Sequence, residues 1–151
     1  MPQKFILDAM LGKLARWLRI MGHDAYYRPY YKPGEIRSRV NEGRVFITRN
    51  LRCSECRKEA VFLSPDQVGE QLKQMHREGY ILVDRTIWFT RCMICNEPLL
   101  QAPYESLRQN VPDYVYFKNP YGISYCPSCN RFFWPGTHRQ NMMARLLKWG
   151  F

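Results

Sequence analysis

Six cysteines fall into three C-x-x-C pairs: Cys53/Cys56, Cys92/Cys95 and Cys126/Cys129. Two thiolates on one tight turn hold half of a tetrahedron, and a second turn supplies the other half at about 2.3 Å per Zn–S bond. The runs CMIC (Cys92–Cys95) and CPSC (Cys126–Cys129) suit this chemistry. Four protein ligands leave no open position for water, so the expected ion is a structural Zn²⁺. The competing reading is two reduced buried pairs or two disulfides. The interval between the pairs exceeds that of compact zinc ribbons and predicts an extra hairpin there. The pair Cys53/Cys56 is left over. It fits a local disulfide, a half-site shared across a dimer, two buried thiols, or ligands to a second metal.

A second candidate is acidic. Asp8 follows the apolar run FIL, where a first strand gives way to a first helix. Strand ends are where α/β folds place their chemistry. A carboxylate there would ligate Mg²⁺ or Mn²⁺ and position a water for attack on a phosphodiester. It would equally serve as an N-cap that satisfies helix donors. Asn50 occupies a similar place, just past the strand-like VFIT and just before Cys53.

Regular elements must hold these residues. Lys4–Leu7 and Arg44–Thr48 read as buried strands, with weaker strands at Asp24–Tyr27 and Glu59–Leu63. Over Met10–Met21 the residues Leu11, Leu14, Ala15, Leu18 and Met21 recur at helical spacing, with Lys13, Arg16 and Arg19 towards the other side and Gly22 as a stop. Glu35–Asn41 reads as a short helix. Ser64–Gln67 matches a capping box for a helix that runs to about Glu78. Strands alternating with helices predict an α/β domain with an open parallel sheet over residues 1–84. Residues 85–151 change character. They are rich in Pro, Gly and Asn and read as a small β module, closed by a helix from about Thr137 with Met142, Met143, Leu146 and Leu147 at helical spacing. That helix is expected to pack back on the first domain.

Net charge is +10 at pH 7, and ten Tyr, eight Phe and four Trp accompany it. Four thiolates on one Zn²⁺ would leave about +8, an excess that suits a polyanion partner such as nucleic acid. Arg28-Pro29-Tyr30-Tyr31-Lys32 sets base beside ring, the combination that holds single-stranded RNA. Arg28, Tyr30, Tyr31 and Lys32 are therefore candidate contacts, with Lys13, Arg16, Arg19 and Arg49. A solvated helix face, and tyrosines packed on the zinc module, are the plain alternatives. His138 is a conceivable general acid, but the first turn of the last helix is its simpler place. The apolar start is cut by Asp8 and followed by Lys13, Arg16 and Arg19, so neither a signal peptide nor a membrane span is expected. An intracellular, cytoplasmic protein follows, where C-x-x-C pairs favour metal over disulfides.

The run KFILDAMLGKLARWLRIMGHDA closely resembles the start of the Mut-seven C-terminal ribonuclease family. RVFITRN, EQL, TRCMICNEPL, Val111-Pro112, CPSCNRFFWPGTH and Met142 extend the resemblance over nearly the whole chain. It implies a PIN-like open parallel sheet with flanking helices, plus a small C-terminal β-rich zinc ribbon. It also implies a metal-dependent ribonuclease site of acidic residues at the open end of the sheet. Asp8 fits the family's first acid. Before the second helix the family has adjacent acids, where this chain has Lys32-Pro33-Gly34 and keeps Glu35. The family pattern T-R-D is here Thr48-Arg49-Asn50. Asp66 matches a further acid. Asp24 also fits the family, but at the other end of the first helix, as a structural residue. The resemblance thus implies an endoribonuclease dependent on Mg²⁺ or Mn²⁺, with Asp8, Glu35, Asn50 and Asp66 as its site and hydrolysis weakened by lost carboxylates. The alternatives are a non-catalytic single-stranded RNA-binding or ribosome-associated module, and a zinc-stabilised protein-interaction scaffold.

Overall fold

The structure, a computed structural model, describes residues 2–52 and 59–151, so Cys53 and Cys56 lie outside the described residues. The chain divides into two compact units, Met1–Asn96 and Glu97–Phe151.

In the first unit β1 (Lys4–Leu7), β2 (Asp24–Tyr27), β3 (Arg44–Thr48) and β4 (Val61–Phe62) form a parallel sheet ordered β2-β1-β3-β4. Phe5, Ile6 and Leu7 are all fully buried. A continuous apolar run of this kind marks a strand covered on both faces. Register sets Phe5 between Ala25 and Val45, and Leu7 between Tyr27 and Ile47. The helix α1 (Gly12–Ile20) buries Leu14, Ala15, Leu18 and Ile20. It ends at Gly22, whose φ of +88° and close approach to the Ile87 carbonyl exclude a side chain. Gly22 N–H donates to Arg19 O at 3.0 Å and His23 N–H to Leu18 O at 2.9 Å, the paired bonds that satisfy a helix C-terminus.

Two local expectations are corrected. Arg19 does not face outward with Lys13 and Arg16; it is 7% exposed. Its Nε donates to Ala25 O (2.9 Å) and its Nη1 to Met93 O (3.1 Å) and Ile94 O (3.0 Å). Burial lowers its pKa, and three carbonyl acceptors compensate the lost water. The capping box is also absent. After α2 (Glu35–Asn41), the helix α3 (Val68–Arg77) begins beyond Gln67 with no side-chain cap. The preceding turn is held by glutamines of the helix instead. Gln74 accepts from Ser64 N–H (3.2 Å) and donates to Phe62 O (3.0 Å), while Gln71 donates to Pro65 O (3.0 Å).

Asp24 anchors the far end of this unit. It accepts from Arg44 Nη1 and from Asn96 Nδ2, each at 2.7 Å, and Asn96 Oδ1 accepts from Ala25 N–H at 2.9 Å. The turn carrying Cys92 and Cys95 is thereby tied to β2 and, through Arg19, to α1. Burial acts to raise the Asp24 carboxyl, but the bonds from Arg44 and Asn96 outweigh it and hold its pKa below the ordinary value. A carboxyl depressed in the folded state stabilises above its unfolded pKa, and that contribution is lost as pH falls through the folded one. Arg44→Met should therefore lower unfolding free energy by about 1–3 kcal/mol at pH 7. In denaturant titrations the gap from the parent should shrink once pH drops below about 3.9. A gap that stays constant with pH would detach Asp24 from the effect.

His23 is buried, with Nε2 lacking a hydrogen-bond partner among the described residues and its ring edge-on to Phe5 at 6.1 Å. Burial first, and then the charge of Arg91, pushes its pKa down. It is a neutral core residue.

In the second unit β5 (Leu100–Gln101), β6 (Ser124–Tyr125) and β7 (Phe132–Phe133) form a small antiparallel sheet. Between the cysteine pairs β5 and β6 pair antiparallel, as the extra hairpin expected there would, but their connection carries two helices, α4 (Tyr104–Asn110) and α5 (Asp113–Lys118), followed by a turn at Pro120–Gly122. Pro103 and Pro112 precede them at φ −60°, and Glu105 and Asp113 lie in their first turns, where carboxylates complement the helix dipole. Leu107, Val111 and Val115 recur every fourth residue and are buried with Ala102 and Ile123; Tyr116, Tyr125, Phe132 and Trp134 pack against them. In the last helix, α6 (Thr137–Lys148), Met142 and Leu146 are buried, whereas Met143 and Leu147 are exposed. His138 is exposed in its first turn. Among the described residues, no helix is long and apolar enough to cross a membrane.

Candidate active site and metal cluster

In a sheet ordered β2-β1-β3, the chain leaves β1 to one side and returns to β3 on the other. The crevice at the carboxyl ends of β1 and β3 is the switch point where such sheets bind ligands. Asp8 immediately follows β1 there. Its N–H donates to Ile47 O at 3.0 Å, and its Oδ2 accepts from Thr48 Oγ1 at 2.8 Å. Thr48 is fully buried and its Oγ1 also accepts from Asn50 N–H at 2.9 Å. Asn50 Oδ1 accepts from Arg52 N–H at 3.1 Å. One hydroxyl thus links the acid at the end of β1 to the chain leaving β3. Helix α1 is preceded by Leu11 as N-cap and has no side-chain cap bond, so the Asp8 carboxylate is not an N-cap.

Two tyrosines fix the main chain on either side of Asp8. Tyr31 OH donates to Leu7 O at 2.6 Å and accepts from Arg28 N–H at 3.1 Å. Burial pushes the Tyr31 pKa up to about 12, so the hydroxyl stays a donor. Tyr27 OH donates to Ala9 O at 2.7 Å. Supports of this kind orient a ligand side chain before any ion arrives.

The sulfurs of Cys92, Cys95, Cys126 and Cys129 all lie within 4.8 Å of one another. Four bonds of 2.3 Å to one tetrahedral ion would set sulfurs about 3.8 Å apart, so the donor set fits Zn²⁺. The two turns match. Asn96 N–H donates to Cys92 O and Asn130 N–H to Cys126 O, both at 2.9 Å, and both asparagines take positive φ, 66° and 57°. Asparagine tolerates that conformation. The repeated C-x-x-C-N was a readable signal that spacing of the cysteines alone did not use.

A family model, the Mut7-C RNase domain, matches residues 3–146, from before Asp8 to beyond Cys129. The chain belongs to the Mut7-C RNase domain family. Comparison with curated proteins and with solved structures gave no match. Membership makes RNA the implied substrate of this Mut7-C domain.

The remaining site candidates of the Mut7-C chain divide. Asp66 is exposed in the β4–α3 connection, at the same edge of the sheet but beyond β3. Glu35 is committed: its Oε2 accepts from Lys32 N–H (3.0 Å), its Oε1 from Tyr26 OH (2.9 Å), and Arg28 lies 3.5 Å away. The Lys32 N–H, then the Tyr26 hydroxyl, holds its carboxyl below the ordinary range. Holding a metal would require Glu35 to leave these partners. Of the basic and aromatic candidates, Lys13, Arg16, Arg28 and Lys32 are exposed and Tyr30 is 74% exposed. Arg49 is half-buried, donating to Ser64 O at 3.3 Å. Tyr31 and Arg19 are occupied with main-chain carbonyls. Thr48 and Tyr27 were missed by sequence reasoning, because their roles are single hydrogen bonds between distant segments.

Proposed function

We infer that this Mut7-C domain acts on single-stranded RNA in the cytoplasm and cuts it weakly, by hydrolysis dependent on Mg²⁺ or Mn²⁺. The observation that carries this is the Asp8 carboxylate at the β1/β3 switch point, aimed by Thr48. Asp8, Asn50 and, along the edge, Asp66 would hold the divalent ion, which would supply an activated water and neutralise charge on the phosphate. This chain's residues orient the carboxylate and bring phosphate to it. Lys13, Arg16, Arg28 and Lys32 give cations, and Tyr30 gives an exposed ring for a base. Weakness follows from charge. Asn50 brings an oxygen without a negative charge, Glu35 is engaged elsewhere, and Lys32 repels a cation. Zn²⁺ on the four cysteines would be structural.

A second reading, an RNA-binding module without cleavage, draws on the same commitments of Asn50 and Glu35. Incubation of a mixed single-stranded RNA pool with Mn²⁺, beside Asp8→Ala, decides between them. Cleavage that falls about 100-fold in the variant supports the nuclease. Tight binding with a steep salt slope and no cleavage in either protein supports the module. No binding even at low salt sinks both.

A further inference from the structure

The segment between the cysteine pairs carries a surface that the switch-point site does not use. Helices α4 and α5 and the turn after them bury Leu107, Val111, Val115 and Ile123 on one side. Their other side bears rings. Tyr104 is 50% exposed, Tyr114 71%, Phe117 68% and Tyr121 72%. Four rings form a connected row. Tyr121 stacks on Tyr104 (centroids 6.0 Å, interplanar angle 23°), Tyr104 meets Tyr116 at 5.7 Å, and Tyr116 meets Phe117 edge-on at 5.1 Å. A hydrogen bond of 2.7 Å from Tyr116 OH to Tyr104 OH locks the middle of the row.

We propose that this row is a base-stacking platform for single-stranded RNA, a second binding subsite carried by the insertion between the cysteine pairs. The proposal rests on the RNA-acting reading above. Three features favour a nucleic acid over a protein partner. Within residues 104–122 every large exposed apolar side chain is aromatic, so the exposed apolar surface there consists of rings alone. Rings accept any base on their faces, and fixed rings lose little freedom on binding. Charge agrees as well. Residues 97–151 carry six basic side chains against three acidic. Arg108 sits one turn beyond Tyr104 on α4, and Lys118 one turn beyond Tyr114 on α5. The two acids within residues 104–122, Glu105 and Asp113, occupy helix first turns.

The test uses the full chain with Zn²⁺, fluorescence anisotropy, and a labelled single-stranded oligoadenylate. Tyr121→Ala and Phe117→Ala remove exposed rings, and thermal unfolding checks that the fold survives. Each should weaken binding about 10-fold, and Tyr121→Trp should restore it. On an oligonucleotide of equal charge lacking bases, parent and variants should bind alike. Equal affinity of parent and ring variants for oligoadenylate overturns the platform and leaves the RNA-acting reading intact. Failure of the parent to bind at low salt overturns both. Loss of self-association in the ring variants, with RNA affinity unchanged, would assign the row to a contact between copies and overturn the platform.

Discussion

Stripping the metal, or replacing Cys126 with Ser, should unfold the region around the cysteine cluster. Structural zinc supplies folding free energy on the order of 10 kcal/mol, and whole domains are stable by only about 5–15 kcal/mol. The second unit has little to set against that loss. Its strands are two residues long, and its core cluster is Ala102, Leu107, Val111, Val115 and Ile123. Cys92 and Cys126 are fully buried, so loss of the ion would remove the Zn–S bonds and leave thiols in their place, with nothing of comparable strength to hold the two turns. Metal analysis should find one zinc per chain in the parent and a marked loss in Cys126→Ser. The thermal transition should move down by tens of degrees or disappear in a strong chelator, and return on adding Zn²⁺. Cys53→Ser is the matched control, because the tetrahedron is complete without it. A parent with well under one zinc per chain, or an unchanged transition in chelator, would remove the structural metal from this account.

What sequence revealed was whatever depended on local pattern. The runs FIL and RVFIT gave β1 and β3, and with the weaker strands they gave the parallel sheet. Gly22 marked a helix end because a positive φ there suits glycine. Asp8 stood out because strand ends are where α/β folds place their chemistry, and the family resemblance favoured a site acid over a plain N-cap. What escaped were bonds between distant segments. Thr48 looked like one more β-branched strand residue, yet its hydroxyl reaches across to Asp8, forty positions earlier. Arg19 sat at the third-residue spacing of a solvated stripe, but the Cys92 turn brings the carbonyls of Met93 and Ile94 to it. Helical period fixes the angle of a side chain on its own helix, and says nothing of which loop will cover it.

The insertion failed differently. Pro, Gly and Asn between the cysteine pairs suggested turns of a β module, because these residues interrupt helices from within. Pro103 and Pro112 instead stand just ahead of helices, where a missing N–H costs nothing. The fourfold spacing of Leu107, Val111 and Val115 was the better guide to that segment.

Asn50→Asp should raise Mn²⁺-dependent hydrolysis of single-stranded RNA by about 10-fold or more. The main chain is already in place, since Asn50 N–H is bound to Thr48 Oγ1 and its Oδ1 accepts from Arg52 N–H. Asp has nearly the same shape and can keep both bonds, so the change is chiefly one of charge. Two unit charges 4 Å apart interact by about 4 kcal/mol at an effective dielectric of 20, and the attraction to a divalent ion is larger. Tenfold corresponds to about 1.4 kcal/mol, which leaves room for the cost of desolvating the new carboxylate. The concentration of Mn²⁺ at half-maximal rate should fall together with the rise in rate, because the added charge acts through the ion. In an Asp8→Ala background the same substitution should give no gain, since one carboxylate would then replace another rather than join it. A rise in rate with no change in metal dependence would point to RNA positioning rather than to ligation. No rise at all would mean that position 50 is not what limits the chemistry. The committed carboxylate of Glu35, loosened by Tyr26→Phe but still bound to the Lys32 N–H, would then be the next group to change.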